Sequence, residues 1–354
     1  MKILLKAICL TLLLSVSLSA EADLQQHQIY SPAIADNFIG TNATRTISVY
    51  LPKDYEKNNK AYPVLYFLGA YNWGANFANS FEKIFADYEQ TKEPLKFIVV
   101  MIDGDTPLRG SFYVNSKAHG RFADFVTKEA VQWVNNKYRT KTDSKHTAVA
   151  GFSMGGTGAL RFAAVNPAQF GHVYALSPGL IDENGLSTSY LGNPKAIDRY
   201  EHFRRALAKT TSPKTLMKEE FKSFQGMALW QNGEDNSNAA FVMAYGGAFA
   251  SHNGEPFGAH FSQAKSQIDK WRFGFGGLIN QYSDSKLLSK LHSVKVEVGK
   301  QDEYKWITDG SLKLKALSEA QKSKVKVVVF EGDHTSKVRE RISQSMLPHF
   351  QSLL

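Results

Sequence analysis

The 354 residues are 43% hydrophobic and 21% charged, which supplies apolar material for one large core or two modest ones and excludes disorder as the default state. The formal charge of +9 is dispersed in short mixed patches such as Arg204-Arg205 and residues 322–326, with no basic arm and no zinc-type spacing, so nucleic acid is not an expected partner. The surplus reads as a basic, soluble surface, the alternative being attraction to an anionic polymer or an envelope surface.

The first residues have the layout of a secretory signal peptide. Lys2 and Lys6 form the positive end, Ala7 to Leu18 the apolar stretch and Ala20-Glu21-Ala22 a small-x-small site, so cleavage is expected after Ala22, with the product secreted or periplasmic. An apolar run of about 12 residues is short against the roughly 20 needed to span a bilayer, and no later segment is longer, so no stable membrane insertion is expected after cleavage. The only cysteine, Cys9, lies in this leader. Residues 23–354 would then hold no thiol, which excludes disulfides, a cysteine nucleophile and cysteine-ligated metal. No metal or other cofactor is expected.

From about residue 45 strand-like and helix-like segments alternate, the pattern of a mostly parallel α/β sheet with crossover helices on both faces. Arg45 to Leu51 alternates with period two and stops at Pro52. Val64 to Leu68 and Phe97 to Ile102 are short continuous apolar runs, as buried parallel strands tend to be. Phe122, Phe125, Val126, Ala130, Trp133 and Val134 fall on one helical face. Residues 146–150 then read as a strand, 155–165 as a helix and 173–176 as another strand. Between about 178 and 291 the alternation lapses in a stretch rich in aromatic residues (Trp230, Phe241, Tyr245, Phe249, Phe257, Phe261, Trp271, Phe273, Phe275 and Tyr282) and too long for a plain loop. It is either a partly helical insertion over the site or extra scaffold on the far side. The first is favoured because chemistry in such sheets happens at the carboxyl ends of the strands, where insertions emerge. Alternation returns with strands at 294–298 and 324–330 and a closing helix from about 336 to 350. The expected organisation is a leader at 1–22 and one catalytic domain at 23–354, with the insertion before the last two strands.

Gly151-Phe152-Ser153-Met154-Gly155 sits between the strand-like Thr147 to Ala150 and the helix-like run from Gly155. A serine hydroxyl needs a base to take its proton and must stand clear of its neighbours, and a tight strand-to-helix turn flanked by glycines provides that exposure in the α/β-hydrolase fold. Ser153 is therefore the candidate nucleophile. The amide of Met154, at the helix start, is placed to stabilise an oxyanion. A second donor is expected from the turn after an earlier strand, Leu68-Gly69-Ala70-Tyr71-Asn72-Trp73, and is assigned to Tyr71, with Ala70 next to it.

In this fold the acid and then the histidine follow the serine on loops after late strands. His334, in Glu331-Gly332-Asp333-His334-Thr335 after the last strand, is the candidate base. His292 precedes a strand, His349 lies in the closing helix and His119 precedes the serine. Asp302, after the strand at 294–298, is the candidate acid that would hold the imidazole in the useful tautomer. Glu303 is its nearest rival, and Asp333 is too close along the chain to reach the ring easily.

These residues resemble the esterase D-like, or "putative esterase", family of α/β-hydrolases, which includes feruloyl and acetyl-xylan esterases, S-formylglutathione hydrolases, siderophore esterases and secreted mycolyltransferases. The likeness is carried by Gly151 to Leu160, Asn166-Pro167, Phe170-Gly171, Leu176-Ser177-Pro178-Gly179, Ser111-Phe112-Tyr113 and Tyr62-Pro63-Val64-Leu65-Tyr66. Many members have a His-Gly or Asp-Gly pair where this chain has Gly69-Ala70. The resemblance implies a serine hydrolase acting on a carboxylic ester, either a small molecule or linked to a glycan. Acyl transfer to a sugar or glycerol hydroxyl is the alternative within that chemistry, and an inactive glycan-binding scaffold the alternative outside it.

Overall fold

A computed structural model describes residues 24–180, 185–251, 255–271 and 290–354. The leader expected at 1–22 lies outside these residues, as do Phe273, Phe275 and Tyr282. The strands in chain order are β1 (Leu24–Tyr30), β2 (Thr44–Tyr50), β3 (Val64–Leu68), β4 (Ile98–Ile102), the short pair β5 (Asn115–Ser116) and β6 (Gly120–Arg121), β7 (Thr147–Phe152), β8 (His172–Leu176), β9 (Ser293–Gly299) and β10 (Val325–Phe330). All but β5 and β6 form one sheet in the order β1-β2-β4-β3-β7-β8-β9-β10. The pairs β1/β2 and β2/β4 are antiparallel, and every pair from β4 to β10 is parallel.

Burial on both faces explains why the central strands read as unbroken apolar runs. Side chains alternate across the sheet, so Leu65 and Phe67 of β3 join one core and Val64, Tyr66 and Leu68 the other. Helix α1 (Phe77–Thr91) and the C-terminal helical run from Val338 to Leu353 cover the first face through Phe81, Phe85, Ile342, Leu347 and Phe350. The helical run from Phe122 to Lys137 and helix α2 (Met154–Val165) cover the second through Phe122, Phe125, Val126, Leu160 and Phe162. Of the six residues expected on one face of the 122–137 run, all are buried except Trp133, which is half-buried against that core.

No hydrophobic pattern marks β1. Its Leu-Gln-Gln-His-Gln-Ile-Tyr is mostly polar because it is an edge strand in which only Ile29 is buried. β7 also runs on to Phe152, two residues past the expected end, because Gly151 still pairs with Leu68 and Ala175.

Within the aromatic-rich stretch the described residues are mainly helical: α3 (Pro194–Lys209), α4 (Pro213–Lys222) and α5 (Gly233–Tyr245). Asn193 caps α3 by accepting the Ala196 N–H at 3.0 Å, and Pro194 occupies the first turn, where its missing N–H costs nothing. Tyr200, Tyr245 and Trp271 pack together, and each polar tip finds a backbone carbonyl, Gly258, Trp271 and Ala259 respectively. Other residues of the same stretch, Tyr190, Leu229, Glu234, Ser237 and Phe241, reach the cavity above β7. Among the described residues no helix is long and apolar enough to cross a membrane.

Candidate active site

Ser153 stands between β7 and α2 with φ 54° and ψ −116°, a conformation that costs a non-glycine residue free energy and persists only when its surroundings enforce it. The glycines around it are demanded by contact. A Cβ on Gly151 would lie 2.3 Å from the Gly155 backbone, and one on Gly155 would lie 2.0 Å from the Leu68 carbonyl oxygen. The Ser153 N–H is held by the Leu176 carbonyl at 2.9 Å, so its side chain projects from a fixed point over the carboxyl ends of β3, β7 and β8.

The loops after β9 and β10 bring the other two expected side chains to it. His334 Nδ1–H donates to Asp302 Oδ2 at 2.7 Å, which leaves Nε2 to accept the Ser153 hydroxyl at 3.0 Å. Asp302 is fully buried and His334 nearly so. The imidazole is wedged between the Phe152 and Tyr304 rings, 4.9 and 4.8 Å away between centroids. Asp302 Oδ1 accepts the Tyr304 N–H at 2.9 Å, fixing the carboxylate plane.

The rival carboxylates have other partners. Glu303 accepts the backbone N–H of His334 at 3.1 Å, and Asp333 accepts those of Thr335 and Ser336. Those backbone bonds hold the Asp333 carboxyl below its ordinary range. The two loops are also stitched to each other: Lys300 N–H to the Phe330 carbonyl at 2.8 Å, Gln301 N–H to the Gly332 carbonyl at 3.0 Å, and Gly332 N–H to Gln301 Oε1 at 2.6 Å. His119 is fully buried on the Ala244 carbonyl and burial pushes it down to about 4. His349 packs on Phe350, and His292 lies beside His172.

Met154 is the first residue of α2, so its N–H has no carbonyl one turn earlier in the helix. In the turn after β3 the amides of Gly69, Asn72 and Trp73 donate to Ile102, Arg109 and Ala70. Among the described residues the amides of Ala70 and Tyr71 have no such partner, and both residues line the same cavity as Ser153 and Met154. That cavity has a volume of about 440 Å³, within the range of small-molecule sites. Its walls are largely aromatic, with Trp73, Phe112, Tyr190, Phe241, Tyr304 and Trp306 around Ser153 and His334. Burial raises the Tyr190 and Tyr304 hydroxyls, so both stay neutral donors.

The segment after β4, which packs beneath the turn at 69–72, carries no pattern in the sequence that signals this role. Arg109, Phe112 and Tyr113 all have φ above +50°, and the Tyr113 hydroxyl donates to the Gly69 carbonyl at 2.9 Å. In the sequence Ser111-Phe112-Tyr113 stands out only as a point of likeness to the family, and no periodicity marks Arg109.

The family described as Putative esterase matches residues 40–351. Esterase Rv1288 of Mycobacterium tuberculosis (strain ATCC 25618 / H37Rv) is 34% identical over 119 residues, covering 33% of this chain and 25% of the esterase. The match thus spans a quarter of that relative's length. Among solved structures, a ferulic acid esterase superposes with a TM-score of 0.59 at 17% identity, covering 94% of this chain and 97% of its own. The S-formylglutathione hydrolase from Agrobacterium tumefaciens gives 0.57 at 14%, covering 95% and 96%. At these identities the likeness is one of fold, and the fold is the α/β-hydrolase fold.

Proposed function

The chain belongs to the Putative esterase family, and from that membership we propose that it hydrolyses a carboxylic ester through an acyl-enzyme on Ser153. The observation that carries the reading is the continuous relay from Ser153 Oγ to His334 Nε2 and from His334 Nδ1 to Asp302, 3.0 and 2.7 Å long, opening on an aromatic cavity.

Ser153 Oγ attacks the ester carbonyl while His334 Nε2 takes its proton. The resulting imidazolium is held by the Asp302 carboxylate, which keeps its own charge. The carbonyl oxygen becomes negative and is met by the N–H groups of Met154 and of Tyr71 or its neighbour Ala70. Collapse breaks the ester C–O bond, and His334 gives its proton to the departing alkoxide. Water then enters, loses a proton to Nε2 and attacks the acyl-serine, and Ser153 leaves with that proton as the acid is released. No step calls for a metal or an organic cofactor. The substrate is a small-molecule or glycan-linked ester whose acyl or alcohol part is apolar enough for walls of Tyr, Phe and Trp.

The stretch between β8 and β9 serves as a cap, since Tyr190, Leu229, Glu234, Ser237 and Phe241 supply one side of the cavity. The leader directs the chain out of the cytoplasm, and the active form begins after Ala22. A fluorophosphonate probe on the purified protein tests the chemistry. Labelling is expected in the wild type and not in Ser153→Ala, and labelling that survives that substitution would sink the esterase reading. Mass measurement of the exported protein's N-terminus tests the leader, and a chain still starting at Met1 would refute it.

A further inference from the structure

Resting on the esterase reading, we propose that Arg109 is a positioning residue for the oxyanion turn, acting through Asn72. Asn72 directly follows Tyr71, lines the cavity and has φ 64°. Asparagine visits this left-handed region more readily than most residues, yet its conformation still has to be held. Arg109 holds it from both ends. The Asn72 N–H donates to the Arg109 carbonyl at 2.8 Å, and the Arg109 Nε donates to Asn72 Oδ1 at 2.6 Å, with Nη2 on the same oxygen.

The flanking bonds point the same way. The Tyr71 hydroxyl donates to the Leu108 carbonyl at 3.0 Å, and the Tyr113 hydroxyl to Gly69. Of the four residues Gly69 to Asn72, three are thus tied to residues 108–113, and only Ala70 is not. Gly110 makes the approach possible, since a Cβ there would lie 2.4 Å from the Tyr71 ring.

The clasp has its own backing. Arg109 Nη1 lies 3.9 Å from Asp105 Oδ2. The Asp105 carbonyl accepts Arg45 Nη2 at 3.0 Å, and its N–H donates to Asp103, which is itself paired with Arg45 inside the protein. The turn that presents the second oxyanion donor is therefore braced against a buried ion pair through Arg109.

The distribution of backbone strain supports a functional purpose. Among the described residues, seven non-glycine positions have positive φ. Asn72, Arg109, Phe112, Tyr113, Ser153 and Ser177 all lie in the segments following β3, β4, β7 and β8, and Lys322 alone lies elsewhere. Such strain persists where geometry is enforced for use.

A positioning role acts on the transition state. With a p-nitrophenyl ester, Arg109→Ala is expected to lower kcat on the order of 30- to 100-fold, because an oxyanion donor is left out of place. KM should stay within about threefold, since ground-state binding is not what the turn supplies. Arg109→Lys should lose most of the same factor, because an ammonium cannot place two donors on one oxygen. Asn72→Gly, which relieves the φ strain but removes the acceptor, should match Arg109→Ala, and the double variant should be no worse than either single. Inhibition by a trifluoromethyl ketone, which forms a tetrahedral adduct on serine, should weaken in parallel with kcat, and methylguanidinium should restore part of the Arg109→Ala rate.

Unchanged kcat in Arg109→Ala, a rise in KM with kcat intact, or additive losses in the double variant would each overturn the proposal. Should Arg109→Ala fail to fold by circular dichroism, Asn72→Gly decides, and full activity there is fatal. A wild-type protein that neither turns over the ester nor takes a fluorophosphonate on Ser153 would instead remove the esterase reading itself.

Discussion

Gly155→Ala adds one methyl to the second residue of α2, and intrinsic helix preference favours that change by about 1 kcal/mol. Packing opposes it more strongly. The new Cβ would stand 2.0 Å from the Leu68 carbonyl oxygen and 2.7 Å from that of Gly69, where ordinary contact begins at 3.4 Å. Both obstacles are backbone, so no rotamer change relieves them, and the start of α2 must move roughly 1 Å or more from the end of β3. Those two ends carry Met154 and the turn at 69–72, so the same movement opens the proposed oxyanion site. Overpacking of this kind costs typically 1–3 kcal/mol, and a displacement of about 1 Å at the reacting centre costs on the order of 100-fold in kcat. The expected outcome is a melting temperature lowered by roughly 5 °C with kcat down about 100-fold. Gly156→Ala is the internal control, because its nearest neighbour would be the Leu176 oxygen at 3.1 Å, and it should lose far less of both. Thermal melts and steady-state kinetics on the two variants decide the matter. A Gly155→Ala protein with wild-type kcat and melting temperature would refute the packing argument.

Asp302→Asn, which presents an amide to His334 Nδ1, should lower kcat by on the order of 10⁴-fold, whereas Glu303→Gln, beside it but bonded only to backbone, should cost less than about tenfold. A pH–rate profile of both variants separates the two carboxylates. Glu297 in β9 is pushed up by burial, but hydrogen bonds from Arg341 and Ser345 and the Lys295 ammonium 2.9 Å away outweigh this and hold it at about 2. Its folded value lies below its unfolded one, so it contributes about 3 kcal/mol above roughly pH 4.5, lost as pH falls toward 2. Glu297→Gln should lower the melting temperature at pH 7 and flatten its decline in acid, and a decline as steep as the wild type's would contradict this. His119, held at about 4 by burial, works at higher pH: the unfolded chain takes up its proton below about 6.5 and the folded chain does not, so stability should already fall between pH 6.5 and 4. Replacing His119 with Gln should shallow that part of a melting-temperature profile. Phe241→Ala, which empties part of the cavity wall, should raise KM for a bulky ester several-fold and leave that for an acetyl ester nearly unchanged.

Much of this protein is legible in its sequence wherever a local rule and the tertiary fold agree. β3 has the bounds its apolar run suggests, because burial on both faces leaves no polar position to blur it. The same agreement makes the nucleophile turn readable, since the glycines at 151 and 155 answer to contacts within the motif and with the adjacent strand. Ser153, His334 and Asp302 could be named as neighbours because each follows a strand whose pattern is clear. The polar residues of β1 could not be read as a strand, because the pairing of Leu24 to Tyr30 with Thr44 to Tyr50 is a tertiary event with one buried side chain. Arg109 was invisible for a related reason. Its partner Asn72 is 37 positions away, and the left-handed backbone of both residues leaves no mark in composition or period. The helices of the stretch between β8 and β9 pack largely on one another and on aromatic residues, and α5 divides along its length into a polar part, Gly233 to Asn238, and an apolar part, Ala239 to Tyr245, so no single helical face stands out in its sequence.

The order of the sheet has a consequence for how the protein would lose activity on heating. Ser153 rides on β7, flanked by β3 and β8 in the interior of the sheet, while His334 follows β10, the outermost strand, bonded on one side to β9 and carrying half-exposed residues along most of its length. Edge elements with few buried contacts open at lower free energy than the whole domain. Fraying of β10 alone would withdraw the imidazole and leave the serine turn intact. Heat inactivation should therefore begin below the calorimetric transition and be reversible on brief cooling, with the weakest link of the chemistry at the rim of the sheet and its best-protected element at the centre.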